Sequence, residues 1–135
     1  MKIPATIPHF KTAAGFTLAY ALIWMALEGE LWRDLLLAGA VVALAIASLL
    51  TRFLGGHALS AIQLIAIAAA AGLIAGVALP LVTLFLMALK TGIHAHGPEY
   101  TSQEIAWMWR QLPLWALVGG IIGLGLGLIT AAKRT

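Results

Sequence analysis

The chain reads as long apolar runs separated by short polar clusters. No Asp, Glu, Lys or Arg falls between Lys11 and Glu28, between Asp34 and Arg52, between Arg52 and Lys90, or between Arg110 and Lys133. A helix that crosses a bilayer needs about 20 predominantly apolar residues. In hydrocarbon each backbone N–H and C=O must pair within its own segment, so such runs form helices and not open strands. The pattern predicts four spans, at about 8–27, 31–54, 58–89 and 113–132. The first starts at Pro8, whose missing N–H is no loss in a first turn. The second carries Arg33 and Asp34 in its first turn, with Arg52 snorkelling at its far end. The third is longer than a hydrocarbon core of roughly 30 Å requires, so it tilts, kinks or projects. Pro80 is the expected kink, because it removes a ladder hydrogen bond.

Residues 90–112 are the one sizeable polar segment. Gly92 is an expected helix stop, and Gly97-Pro98 marks a loop around His94, His96 and Glu99. Thr101-Ser102-Gln103-Glu104 matches the capping-box pattern, with Tyr100 and Ile105 placed as a hydrophobic staple. A short interfacial helix is therefore expected to start near Ser102, carry Trp107, Trp109 and Arg110, and bend at Pro113 into the fourth span. The fold class predicted is all-α integral membrane, one polytopic domain over 1–135, with four transmembrane helices and a short interfacial helix before the fourth.

Composition sharpens this. Of 135 residues, 62% are hydrophobic and only 10% charged, against roughly 25% charged in a soluble domain. A small soluble fold cannot hide that much apolar surface, and a disordered chain needs low hydrophobicity. There is no Cys and no Asn, which excludes disulfides, thiolate metal sites and N-glycosylation. The net charge of +3 comes from scattered cations, without the one-sided basic stripe of a nucleic-acid binder. An apolar stretch near the N-terminus lacks a small-residue cleavage site, since Glu28 and Glu30 stand where it would be, so it is read as a retained helix. Lys2, Lys11, Arg52, Lys133 and Arg134 fall on one side of a four-span layout, and Arg33, Lys90, Arg110 and all the acids on the other. The positive-inside rule then puts both termini in the cytoplasm, with a bacterial plasma membrane as the expected location and the five tryptophans near the outer interface.

Few residues carry candidate chemistry. His94 and His96 face the same way if their loop is extended, and with Glu99 they form a candidate site for Zn²⁺ or Cu²⁺. The competing reading is two solvated loop histidines, and weak or no metal binding is expected; no other cofactor is implied. Glu28, Glu30 and Asp34 read as the wet turn of a helical hairpin, with Glu30 and Asp34 favoured near a helix N-terminus. No ionisable residue is expected deep within a span, where Thr17, Tyr20, Ser48, Gln63 and Thr83 are the polar positions. Proton relays and ion-coupled carriers use buried ionisable groups, so a self-sufficient pump is not expected. Gly72 and Gly76, and Gly119, Gly123 and Gly127, repeat at four-residue spacing, the small-xxx-small pattern that lets helix backbones approach closely. The expected function is that of a small non-catalytic membrane protein, an accessory or structural subunit packing in the lipid bilayer against other membrane subunits or copies of itself. The alternatives are a component of an oligomeric channel or transporter, and a metal-binding membrane protein.

Overall fold

The computed structural model describes residues 4–94 and 99–133. It is all-helical, with four helices and no strand among the described residues: α1 (Phe10–Ala26), α2 (Leu31–Leu54), α3 (Ala61–His94) and α4 (Ser102–Ala132). The last three are long and apolar enough to cross a membrane. The first, at 17 residues, rises only about 25 Å at 1.5 Å per residue. It begins two residues after Pro8, behind His9, whose φ of 61° lies in the left-handed region.

The helices run up and down, each packing mainly on its neighbour in the chain, and the α3–α4 interface is the most extensive. Two small cores sit toward the end that holds the α1–α2 turn and the α3–α4 connection, here the loop end. Trp24, Leu37, Ala38 and Leu86 join α1, α2 and α3. Met87, Tyr100 and Met108 join α3 to the start of α4, with Leu31 and Leu35 of α2 against them.

Helix boundaries follow local chemistry except where tertiary contacts override it. Ser60 and Gln63 exchange side-chain to backbone hydrogen bonds, Ser60 N–H to Oε1 at 3.0 Å and Gln63 N–H to Oγ at 3.2 Å. This reciprocal cap starts α3 at Ala61, not at 58. At the other end α3 runs through Gly92 to His94, because Lys90 and His94 reach across to α1 and hold the last turns in register. Thr101 and Glu104 form the complete capping box at the start of α4. From there one helix continues through Pro113 to Ala132, with no separate element over 102–112. Met108, fully buried against Met87 and Tyr100, ties this stretch to the protein core.

Candidate functional site

The loop end gathers polar side chains from three helices and the segment entering α4. Trp24 lies in the last turn of α1, Asp34 in the first turn of α2, Lys90 and His94 near the end of α3, and Glu99 and Tyr100 just before α4. The Trp24 indole Nε1–H donates to Asp34 Oδ1 at 2.6 Å. The Lys90 ammonium donates to the Trp24 carbonyl at 2.7 Å and stands 4.6 Å from the centroid of that residue's ring. His94 Nε2 lies 3.0 Å from the Met25 carbonyl, and Nδ1 pairs with Glu99 Oε1. The logic is that of a helix terminus: the last carbonyls of α1 have no partner within their helix, and α3 supplies donors to two of them.

Burial makes this arrangement consequential. Asp34 is 0% and Lys90 1% exposed, whereas Glu28 and Glu30 in the same turn are exposed. The expectation of a wet acidic hairpin therefore fails at Asp34. Glu28 and Glu30 precede α2, whereas Asp34 lies on the helix face that also carries Leu37 and Ala38 inward, where Trp24 and Lys90 receive it. The Tyr100 hydroxyl faces the Asp34 carboxyl group. Asp34 Oδ2, the Tyr100 hydroxyl and the Tyr20 hydroxyl are nevertheless buried without an aligned hydrogen-bond partner. Burial pushes the Tyr100 phenol well above its usual value, and the neighbouring Asp34, Glu99 and Glu104 add to the rise. For Glu99, burial pushes the pKa up, but the His94 ring, the Gly29 backbone N–H and the charges of His94 and Lys90 outweigh it and hold the carboxyl below its ordinary range. Gly29 is required where these segments meet: a Cβ there would stand 2.9 Å from Tyr100 Cζ and 3.0 Å from Glu99 Cβ.

The glycine positions meet at the α3–α4 interface. A Cβ on Gly72 would come within 2.9 Å of Gly123 Cα, and one on Gly119 within 3.0 Å of Gly76 Cα. Gly76 faces the backbone of Trp115 and Ala116, and Gly127 that of Ile65, where a Cβ would be 2.9 Å from the Cα. The two backbones thus lie directly against each other over several turns. Gly39, Gly72, Gly76 and Gly119, with Ala43, Trp115, Val118 and Ile122, also line an apolar groove of ≈ 270 Å³ between α2, α3 and α4.

Of the candidate metal ligands, His94 and Glu99 are brought together, but as a pair, and both ring nitrogens of His94 face oxygen acceptors. His96 lies outside the described residues. Among the described residues no group of three or more His, Cys, Asp or Glu side chains is placed to hold a metal ion. Trp24, Asp34, Lys90 and Tyr100 are the polar site residues that sequence reasoning did not single out. The signal was present for one pair: Trp24 and Asp34 lie ten residues apart across a turn at Gly29, which brings two antiparallel helix ends together. Nothing local marks Lys90. Comparison with protein-family models, with curated proteins and with solved structures gave no match.

Proposed function

We propose that this protein is a non-catalytic integral membrane protein of four spans that works by helix packing, as an accessory or structural subunit whose partner is a transmembrane helix of another chain. The observation that carries this reading is the groove between α2, α3 and α4. Its floor is glycine backbone and its walls are apolar, the surface that a second helix with small residues packs against in a bilayer, where close backbone approach replaces the hydrophobic effect as the source of affinity. Cation placement supports an orientation with both termini in the cytoplasm. Discounting the buried Lys90 lowers the count on the opposite side and so increases the excess on the side of the termini.

Substitution in the groove tests the reading. Ala43 is an exposed groove residue, so Ala43→Trp fills the groove without entering the chain's own core. Leu126→Trp on an exposed position of α4 (59% exposed) is the control. After extraction in mild detergent, the wild type and Leu126→Trp are expected to hold the same companion chain, and Ala43→Trp to lose it while keeping its melting temperature. A wild type that elutes as a monomer overturns the proposal. A homo-oligomer dissolved by Ala43→Trp replaces it with the channel or transporter-component reading.

A further inference from the structure

We propose that Asp34 is a proton-exchange site: a buried carboxyl group that takes up and releases one proton against the Tyr100 hydroxyl, with Lys90 as its fixed counter-charge. The inference stands on the loop-end cluster alone and does not depend on the packing role proposed above.

Three features carry it. Asp34 Oδ2 and the Tyr100 hydroxyl are buried near each other, and neither has an aligned hydrogen-bond partner. A carboxyl and a phenol are among the few side-chain pairs that hydrogen-bond in either direction. With Asp34 ionised, Tyr100 donates to Oδ2. With Asp34 protonated, Oδ2–H donates to the Tyr100 oxygen. In both states Oδ1 keeps the Trp24 indole N–H, so neither state strands a polar atom. The third feature is the position of Lys90. Its ammonium is not in ion-pair contact with Asp34, but is committed to the Trp24 carbonyl and ring. It therefore keeps its place when the carboxylate is neutralised, where a directly bridged lysine would lose its only partner.

The surrounding charges are few. Lys90 on α3 and Glu99 before α4 are the charged groups near Asp34, and Arg33 precedes it on α2. His94 and Glu99 pair with each other, Glu104 serves the α4 cap, and at this end α1 contributes Trp24 and no charge. The exchange is balanced by one proton from water at the loop end, which raises the charge of the cluster by one and makes or breaks no other bond. Ionisable groups buried within membrane helices commonly serve proton movement.

Asp34 is the only aspartate in the chain, so carboxyl-¹³C aspartate labels this site in the wild-type protein. Infrared difference spectra of the labelled protein in liposomes, recorded across pH, are expected to show a label-sensitive carboxylate band converting reversibly to a protonated-carboxyl band. Tyr100→Phe is expected to shift the frequency of the protonated band, since its hydrogen-bond acceptor is gone. A labelled group that stays entirely ionised, or entirely protonated, at every pH where the protein remains folded overturns the proposal. A titrating band whose frequency ignores Tyr100→Phe overturns the pairing with Tyr100.

Discussion

Adding one methyl group to a helical glycine tests whether backbone contact holds α3 to α4. In Gly72→Ala the new Cβ meets the Gly119 carbonyl and lies 2.9 Å from Gly123 Cα. Both obstacles are backbone, so no side chain can turn aside and the helices must separate. Overpacking of this kind costs about 1–3 kcal/mol. Separation also weakens Cα–H···O contacts of about 0.5–1 kcal/mol each where the helices touch. Helix propensity acts in the opposite sense, favouring Ala over Gly by about 1 kcal/mol. The net expectation is destabilisation by roughly 1–3 kcal/mol, because several contacts are lost for one gain in propensity. Gly125 is the internal control: a Cβ there meets nothing within 4 Å, so Gly125→Ala is expected to be neutral or to stabilise by up to about 1 kcal/mol. Thermal unfolding in one detergent, followed by near-ultraviolet circular dichroism, separates the two. If Gly72→Ala melts at or above the temperature of Gly125→Ala, the contact is too soft to hold the helix pair and the reasoning fails.

Four further outcomes are expected. Thr101→Ala removes the side chain that caps α4 and lowers stability by about 1 kcal/mol, whereas Thr101→Ser preserves it; chemical or thermal melts compare the two. Glu99 has a folded-state pKa below its ordinary 4.5, so the stability it contributes is present above that value and is lost as pH falls through the folded-state pKa. The melting-temperature gap between wild type and Glu99→Gln is therefore expected at neutral pH and absent in acid. Lys90→Met removes the charged donor to the Trp24 carbonyl and the cation nearest Asp34, and is expected to destabilise by about 1.5–3 kcal/mol; adding Asp34→Asn recovers part of that in a double-mutant cycle, and strict additivity would show the two groups to be uncoupled. Single cysteines at exposed His57 and Gln103 in this cysteine-free chain are expected to differ toward an impermeant thiol reagent on intact cells, position 103 reacting and 57 not; the reverse pattern inverts the topology.

Helix number and most helix limits were legible in the spacing of charged residues, because a long apolar run has one regular backbone solution. The start of α4 was legible too, since a capping box is local chemistry. The limits that were misjudged are those set by distant residues. Gly92 stops a helix only if nothing holds the next turn, and here Lys90 and His94 hold it from α1. Pro113 marks a bend only if the preceding segment is free to lie elsewhere, and Met108 anchors that segment in the core. The glycine positions could be read as small surfaces, but not which helix meets which. Asp34 was misread for a related reason. Its sequence neighbours Glu28 and Glu30 are solvated, and its inward direction depends on the rotation of α2 against Trp24, which no local pattern encodes.

The four helices are joined by two different physical devices. Within the bilayer proposed for this protein, lipid tails are as apolar as leucine, so burial of apolar side chains does little to hold one helix on another. Backbone contact does this for α3 and α4 along their glycines. For α1 the polar contacts gather at one end, beside the small apolar core around Trp24: Trp24 is its only buried residue, and Asp34, Lys90 and His94 all bind at its last turn. Phe16, Leu18, Leu22 and Ile23 are exposed, so the rest of α1 rests on α2 with little to fix it. A polar contact shielded from water is stronger than the same contact in water, which lets a few such bonds secure a whole helix. It also makes the attachment of α1 sensitive to the charge on Asp34, whereas the α3–α4 pair has no charge at its contact and is indifferent to it. In the exchange proposed above, a proton on Asp34 leaves the Trp24 bond in place but removes the charge that assists it, without touching the glycine interface. The loop-end cluster is therefore where the proposed change in protonation reaches the attachment of α1, while the glycine contact of α3 with α4 is left as it is.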